Sequence, residues 1–149
     1  MTISIKTYEA LTKNELYKLL QLRSEVFVVE QDCVYQDIDG LDEKAIHVLG
    51  FKQQHLVAYT RIFKPGDYFK EAGIGRVVVK KEEREFGYGK DIMLAATNYI
   101  NNTLNCNSIE LSAQVYLKKF YNELGFIEKG ETYLEDGIPH IKMTQETKD

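Results

Sequence analysis

A chain of 149 residues, 44% hydrophobic and 28% charged, has the make-up of one ordinary globular domain, able to bury roughly 70% of its unfolded surface in a single core. Its net charge of −4, with no basic stripe, argues against nucleic acid, where neutralised phosphates supply most of the affinity. No stretch approaches the ~20 apolar residues of a bilayer span, and the N-terminus "MTISIKTYEALT" lacks the basic-then-apolar order of a secretory leader.

In chain order, "TISIKTY" alternates as a first strand. Thr12 and Glu15 form a capping box, and Leu16, Leu19, Leu20, Val26 and Phe27 follow at helical spacing, predicting a helix from about 13 to about 30. "QDCVYQDIDGLDEKA" has no period and reads as a structured loop. "AIHVLGFK" and "HLVAYTRIF" flank "KQQH" as an antiparallel hairpin. Pro65-Gly66-Asp67 breaks the chain before the strand "GIGRVVV". A helix over 88–103, a strand over 108–114 and a short helix "VYLKKFYNELGF" come next, the last with Leu117, Phe120 and Leu124 inward and Gly125 as its C-cap. Two strands around Asp136-Gly137 close the chain as a hairpin. Strand 74–79, its helix and strand 108–114 make a βαβ unit with parallel strands and a right-handed crossover. The fold class is α+β, a mixed central sheet in one domain over 1–149 with helices on both faces.

Cys33 and Cys106 are far apart and suit a reducing cytoplasm better than a disulfide scaffold. His47, His55 and His140 sit singly, without metal-ligand spacing, so no metal is expected.

The segment "GRVVVKKEEREFGYGKDIM" carries the chemistry. A strand, a glycine loop and a helix start form a phosphate cradle, because the first helical N–H groups lack partners and the macrodipole is positive there. A P-loop would need glycine at Arg84 and a hydroxyl at Asp91, and a dinucleotide fingerprint would need glycine at Ile92. The pattern met in full is R-x-x-G-x-G, in Arg84-Glu85-Phe86-Gly87-Tyr88-Gly89.

That loop, with the element order around it, resembles the GNAT superfamily of acyl-CoA-dependent N-acyltransferases. "LRSEVFVVEQ", "YQDIDGLD" and "EDGIPHIKM" are similar to the ElaA branch, with Val34 standing where that branch leads one to expect proline. The resemblance implies that the strands 74–79 and 108–114 splay apart. It also implies acetyl-CoA or coenzyme A as cofactor, with its pyrophosphate on Arg84, Glu85, Phe86, Gly87, Tyr88, Gly89 and Lys90. The pantetheine arm would then lie along Val77, Val78 and Val79 and beside Gln114. It implies acetyl transfer by direct attack of a primary amine, small molecule or protein, with the Val78 N–H polarising the thioester and Tyr121 protonating the leaving thiolate.

Several groups stand open as the base: Glu30, Glu110, His47, His140 or a water chain. The acidic run over 25–43 is either a solvated face or a site for a cationic amine, with Glu30, Asp39, His47, Asp136 and His140 as substrate-binding candidates. Cys33 in the same run is a remote candidate for an acyl relay. A non-catalytic acyl-CoA-binding module is the alternative function. No nucleic acid or membrane partner is expected, and a homodimer is an allowed assembly.

Overall fold

The computed structural model describes residues 1–147. One seven-stranded sheet runs in the order β1-β2-β3-β4-β5-β7-β6. β1 is Thr2–Thr7, β2 Ile46–Lys52, β3 His55–Phe63, β4 Ala72–Val79, β5 Ser108–Gln114, β6 Ile127–Glu135 and β7 Ile138–Glu146. The helices are α1 (Lys13–Arg23), α2 (Tyr88–Asn102) and α3 (Lys118–Glu123). The capping box is formed: the Glu15 N–H donates to Thr12 Oγ1 at 3.0 Å and the Thr12 N–H to Glu15 Oε1 at 2.9 Å. The helix expected to run to about residue 30 does so in two forms, since Ser24–Glu30 is π-helical. Such wide turns are uncommon and gather at functional sites.

Helices cover both faces. On one, Ile92, Met93, Ala96 and Ile100 of α2 and Tyr121 of α3 pack on Ile74, Ile109, Leu111 and Met143. On the other, Leu19, Leu22, Val26 and Phe27 pack on Leu49, Tyr59 and Val78. This second face is covered over β2–β4, and the β5–β7–β6 half is left open to a cleft.

Two irregularities in β4 shape that cleft. β4 and β5 are parallel, paired at Ala72↔Ile109 and Gly73↔Glu110, and beyond those pairs they diverge. The expected splay is therefore present. Second, Arg61 is opposite Gly75 and Tyr59 opposite Val78, so Arg76 and Val77 together face Thr60 in a β-bulge. The extra residue reverses the alternation. Ile74 points to the α2 side, whereas Val78, four residues on, points to the α1 side. Arg76 holds φ at +52°, a left-handed conformation costly for a residue with a Cβ. Thr60 Oγ1, donating to the Gly75 carbonyl at 2.8 Å, holds the bulge.

Within the acidic run, Asp37, Asp39 and Asp42 are ion-paired inside the protein, whereas Glu25, Asp32 and Glu43 stay exposed. Arg23 of α1 donates to Asp37 Oδ2 at 2.9 Å and to Asp42 Oδ1 at 2.6 Å. Arg61 of β3 binds Asp39 and Asp42, the latter at 2.9 Å. Arg76 of β4 places Nε 2.8 Å from Asp37 Oδ1, off the N–H line, as a charge contact rather than a hydrogen bond. Three arginines thus clamp the 37–42 loop against the α1 face, charge for charge. Burial opposes ionisation of Asp39, yet hydrogen bonds and charge from Arg61 hold its carboxyl down at about 2. Asp39 as an amine ligand is corrected accordingly: its charge is already neutralised inside the protein.

His47 is corrected too. It is buried, with Nδ1 2.6 Å from the Tyr59 hydroxyl and Nε2 2.9 Å from the Asp42 carbonyl oxygen. A carbonyl only accepts, so Nε2 carries the hydrogen and Tyr59 donates to Nδ1. Burial pushes its pKa below the usual imidazole value. Folding therefore favours the neutral ring: its contribution is complete above the unfolded pKa of ~6.5 and is lost as pH falls through the lower folded value. A denaturant midpoint that declines below about pH 6.5 in the wild type and declines less in His47→Gln is the expected result, read by chemical unfolding between pH 7 and 5.

Candidate active site

One cleft of about 530 Å³ follows the gap between β4 and β5. Val77, Val78 and Val79 form one wall, and Arg84, Gly87, Gly89 and Lys90 form one end. Gln114, Leu117, Phe120 and Tyr121 lie on the other wall, and Glu135, Asp136 and His140 form the far end. The last turn of the π-helical segment and the loop after it cross above, supplying Glu30, Gln31, Cys33 and Tyr35. The fold thus brings most of the expected residues together. Glu85, Phe86 and Tyr88 do not line the cleft; the Phe86 and Tyr88 rings pack on each other, with Lys52 over Phe86.

The coenzyme loop begins with a 3₁₀ stretch, Lys81–Phe86, and ends at Gly87, which caps α2 with φ at +74°. A side chain would strain that backbone. No side chain caps the helix, so the first amides of α2 are left for an outside acceptor. A Cβ on Gly89 would lie 3.4 Å from the Phe120 ring and 3.7 Å from Val79, filling the space between loop and wall. These residues fit a pyrophosphate. Arg84 is engaged elsewhere: its Nε donates to the Val79 carbonyl at 3.1 Å, and its Nη atoms grip Glu30 at 2.6 and 2.8 Å. Hydrogen bonding from Arg84 holds the Glu30 carboxyl below its ordinary value. Glu30 is therefore paired to the coenzyme loop at the mouth of the cleft.

Val78 requires another correction. The Lys80 N–H donates to the Val57 carbonyl at 2.8 Å. N–H groups alternate along an antiparallel ladder, so the Val78 amide also points to β3, where Tyr59 stands opposite. The amides turned toward the gap are those of Val77 and Val79.

Tyr121 was expected beside the inward stripe of α3, but it is the buried centre of that helix, while Leu117, Phe120 and Leu124 are half-buried around it. Its ring meets Phe120 and Phe126 edge-on at 5.0 and 6.2 Å. Burial drives its phenol well above the ordinary tyrosine range, so the proton stays on at neutral pH. Ser112, Tyr35 and Glu135 are among the cleft residues missed from sequence. The last was legible, because a two-residue turn at Asp136-Gly137 sets Glu135 opposite Ile138, two pairs from Tyr133↔His140 and on the same face.

Splayed parallel strands, a bulged β4 and a glycine-capped helix at the end of the gap define an acyltransferase of the coenzyme A-dependent kind. The model for the Acetyltransferase (GNAT) domain matches residues 7–147, and the chain belongs to that family. It is 44% identical to ElaA of Escherichia coli K12 over 141 residues, covering 93% of this chain and 92% of ElaA. The crystal structure of E. coli ElaA superposes with a TM-score of 0.90, covering 97% of this chain and 99% of that one. An acyl-CoA N-acyltransferase from Pseudomonas aeruginosa, 40% identical, superposes at 0.91 with the same coverage. The chain is accordingly an acyl-CoA-dependent N-acyltransferase, and no helix among the described residues is long and apolar enough to cross a membrane.

Proposed function

We propose that the chain transfers an acetyl group from acetyl-CoA to a primary amine by direct attack within the cleft. The observation that carries the reading is the cleft itself. It joins phosphate-fitting amides at Gly87–Lys90 to an acidic end at Asp136, past a strand edge whose amides are free. The pyrophosphate is held by the α2 amides, with Lys90 and Arg84 beside it. The pantetheine amides bond the β4 edge near Val79 and pass Gln114, as an added strand would. The Val77 N–H takes the oxyanion role assigned from sequence to Val78.

Tyr121 acts at the sulfur. Its hydroxyl has no hydrogen-bond partner among the described residues, and its ring lines the cleft. A phenol holds its proton more tightly than a thiol, at ~10 against ~8.5 before burial. It therefore donates a hydrogen bond to the developing thiolate rather than surrendering the proton outright.

Thermal unfolding tests the donor half. Acetyl-CoA at a hundredfold excess over Kd is expected to stabilise the fold by about 2.7 kcal/mol, several degrees in a domain this size. NAD and ATP are expected to do much less. Gly89→Asp places an acid in the first turn of α2, where the dipole tolerates it, so the unliganded protein keeps its melting temperature. The shift with acetyl-CoA should vanish. A shift with NAD and none with acetyl-CoA would remove the assignment.

A further inference from the structure

The far end of the cleft holds a hydrogen-bonded group that the donor chemistry leaves unused. Alternation along β5 buries Ile109, Leu111 and Ala113 and leaves Ser112 on the open face. The register of β6 and β7 sets Tyr133 opposite His140 and Glu135 opposite Ile138. Three strands therefore converge. Ser112 Oγ donates to Glu135 Oε1 at 3.3 Å and accepts from the Tyr133 hydroxyl. The Tyr133 ring stacks on His140 with centroids 6.2 Å apart, and His140 Nε2 lies 3.3 Å from Glu135 Oε2.

The His140 side chain is 8% exposed, and the tautomer of its neutral ring is set locally. Nδ1 is 2.7 Å from the Ile138 carbonyl oxygen. Since that oxygen only accepts, Nδ1 carries the hydrogen, and Nε2 of the neutral ring presents a lone pair. The lone pair faces a carboxylate oxygen. While the ring is neutral, Nε2 and the Glu135 carboxylate are two acceptors with no hydrogen between them, an arrangement that an N–H donor satisfies on both sides. Among the described residues, no lysine or arginine pairs with Glu135; the nearby Lys142 is turned to Glu110 at 3.3 Å.

We propose that Glu135 and His140 receive the acceptor amine and that His140 Nε2 is its base. A neutral primary amine has two N–H bonds, one for Nε2 and one for Glu135 Oε2, which leaves its lone pair free to attack. This rests on the amine-acceptor reading above. The nitrogen lone pair forms the C–N bond at the thioester carbonyl carbon, and the C–S bond breaks with its electron pair on sulfur. The nitrogen's proton moves to Nε2, where Glu135 stabilises the imidazolium, and from there to solvent. Solvent returns a proton to the thiolate. The acceptor class is an unhindered primary alkylamine: a secondary amine has one N–H and leaves one of the two acceptors unmet.

The test follows thiol release with saturating acetyl-CoA and two probes, n-butylamine and N-methylbutylamine. Wild type is expected to prefer the primary amine. His140→Ala should lose on the order of 10²-fold in kcat with an unchanged KM for acetyl-CoA, the range for a lost general base. Added imidazole should restore part of that loss, which a merely structural residue would not allow. Glu135→Gln, half-exposed and safe for folding, should raise the KM for n-butylamine and narrow the preference for the primary amine. Turnover by wild type with either variant unaffected, or a loss in His140→Ala that imidazole does not relieve, overturns this assignment alone. No turnover of either amine by wild type overturns it together with the acceptor reading.

Discussion

Arg61→Met is expected to destabilise the fold by about 3–5 kcal/mol, the cost of breaking a buried charge pair from one side. In a domain this size that is a fall in melting temperature on the order of 10 °C. Arg61 is almost wholly buried and bridges Asp39 and Asp42, so its removal leaves carboxylates that Arg23 and Arg76 satisfy only in part. The deficit has a pH signature. Asp39 titrates at about 2 in the fold, against ~3.9 unfolded. Its stabilisation is complete above about pH 4 and is lost as pH falls toward 2. Wild type and variant should therefore converge in acid, as measured by urea midpoints at pH 7 and pH 3. Glu30→Gln, which breaks a pair at the open cleft mouth, should cost less than about 1 kcal/mol in the same measurement.

Tyr121→Phe is expected to lower kcat on the order of 10²-fold while leaving the affinity for acetyl-CoA unchanged. The ring keeps its edge contacts with Phe120 and Phe126, so the melting temperature should stay within a degree or so. Burial raises the phenol above its ordinary value, which keeps the hydroxyl protonated throughout the neutral range. Any alkaline loss of wild-type activity below about pH 10 then belongs to another group and should persist in the variant. A Phe variant with wild-type turnover, measured by thiol release, would reduce Tyr121 to packing.

Local signals were legible where one segment sufficed to form the structure. Thr12 and Glu15 announced a helix start that needs no partner from elsewhere, and Asp136-Gly137 announced a turn whose φ values of +52° and +77° suit that pair. The strand–glycine–helix order named the coenzyme end because its amides belong to consecutive residues. What escaped depends on partners far apart in sequence. The arginines that neutralise Asp37, Asp39 and Asp42 come from α1, β3 and β4, so these three acids looked free when they are clamped. The bulge at Arg76 has no glycine at its strained position and arises from pairing with β3. It reverses the faces of the strand beyond it, and the ladder beyond it turns the Val78 amide away from the cleft. The spacing of Tyr121 fits the α3 stripe poorly and suggests the helix edge, yet a six-residue helix set over a splayed sheet makes it the centre.

The central claim is catalysis, and the direct measurement is the product. Purified protein, acetyl-CoA and a panel of primary amines should release free thiol in proportion to N-acetylated amine identified by mass spectrometry. That release should be absent without amine and abolished in Gly89→Asp. Acetyl-CoA binding with a clear melting shift, but with no acetylated amine from any member of the panel, would contradict the account and leave an acyl-CoA-binding module in its place.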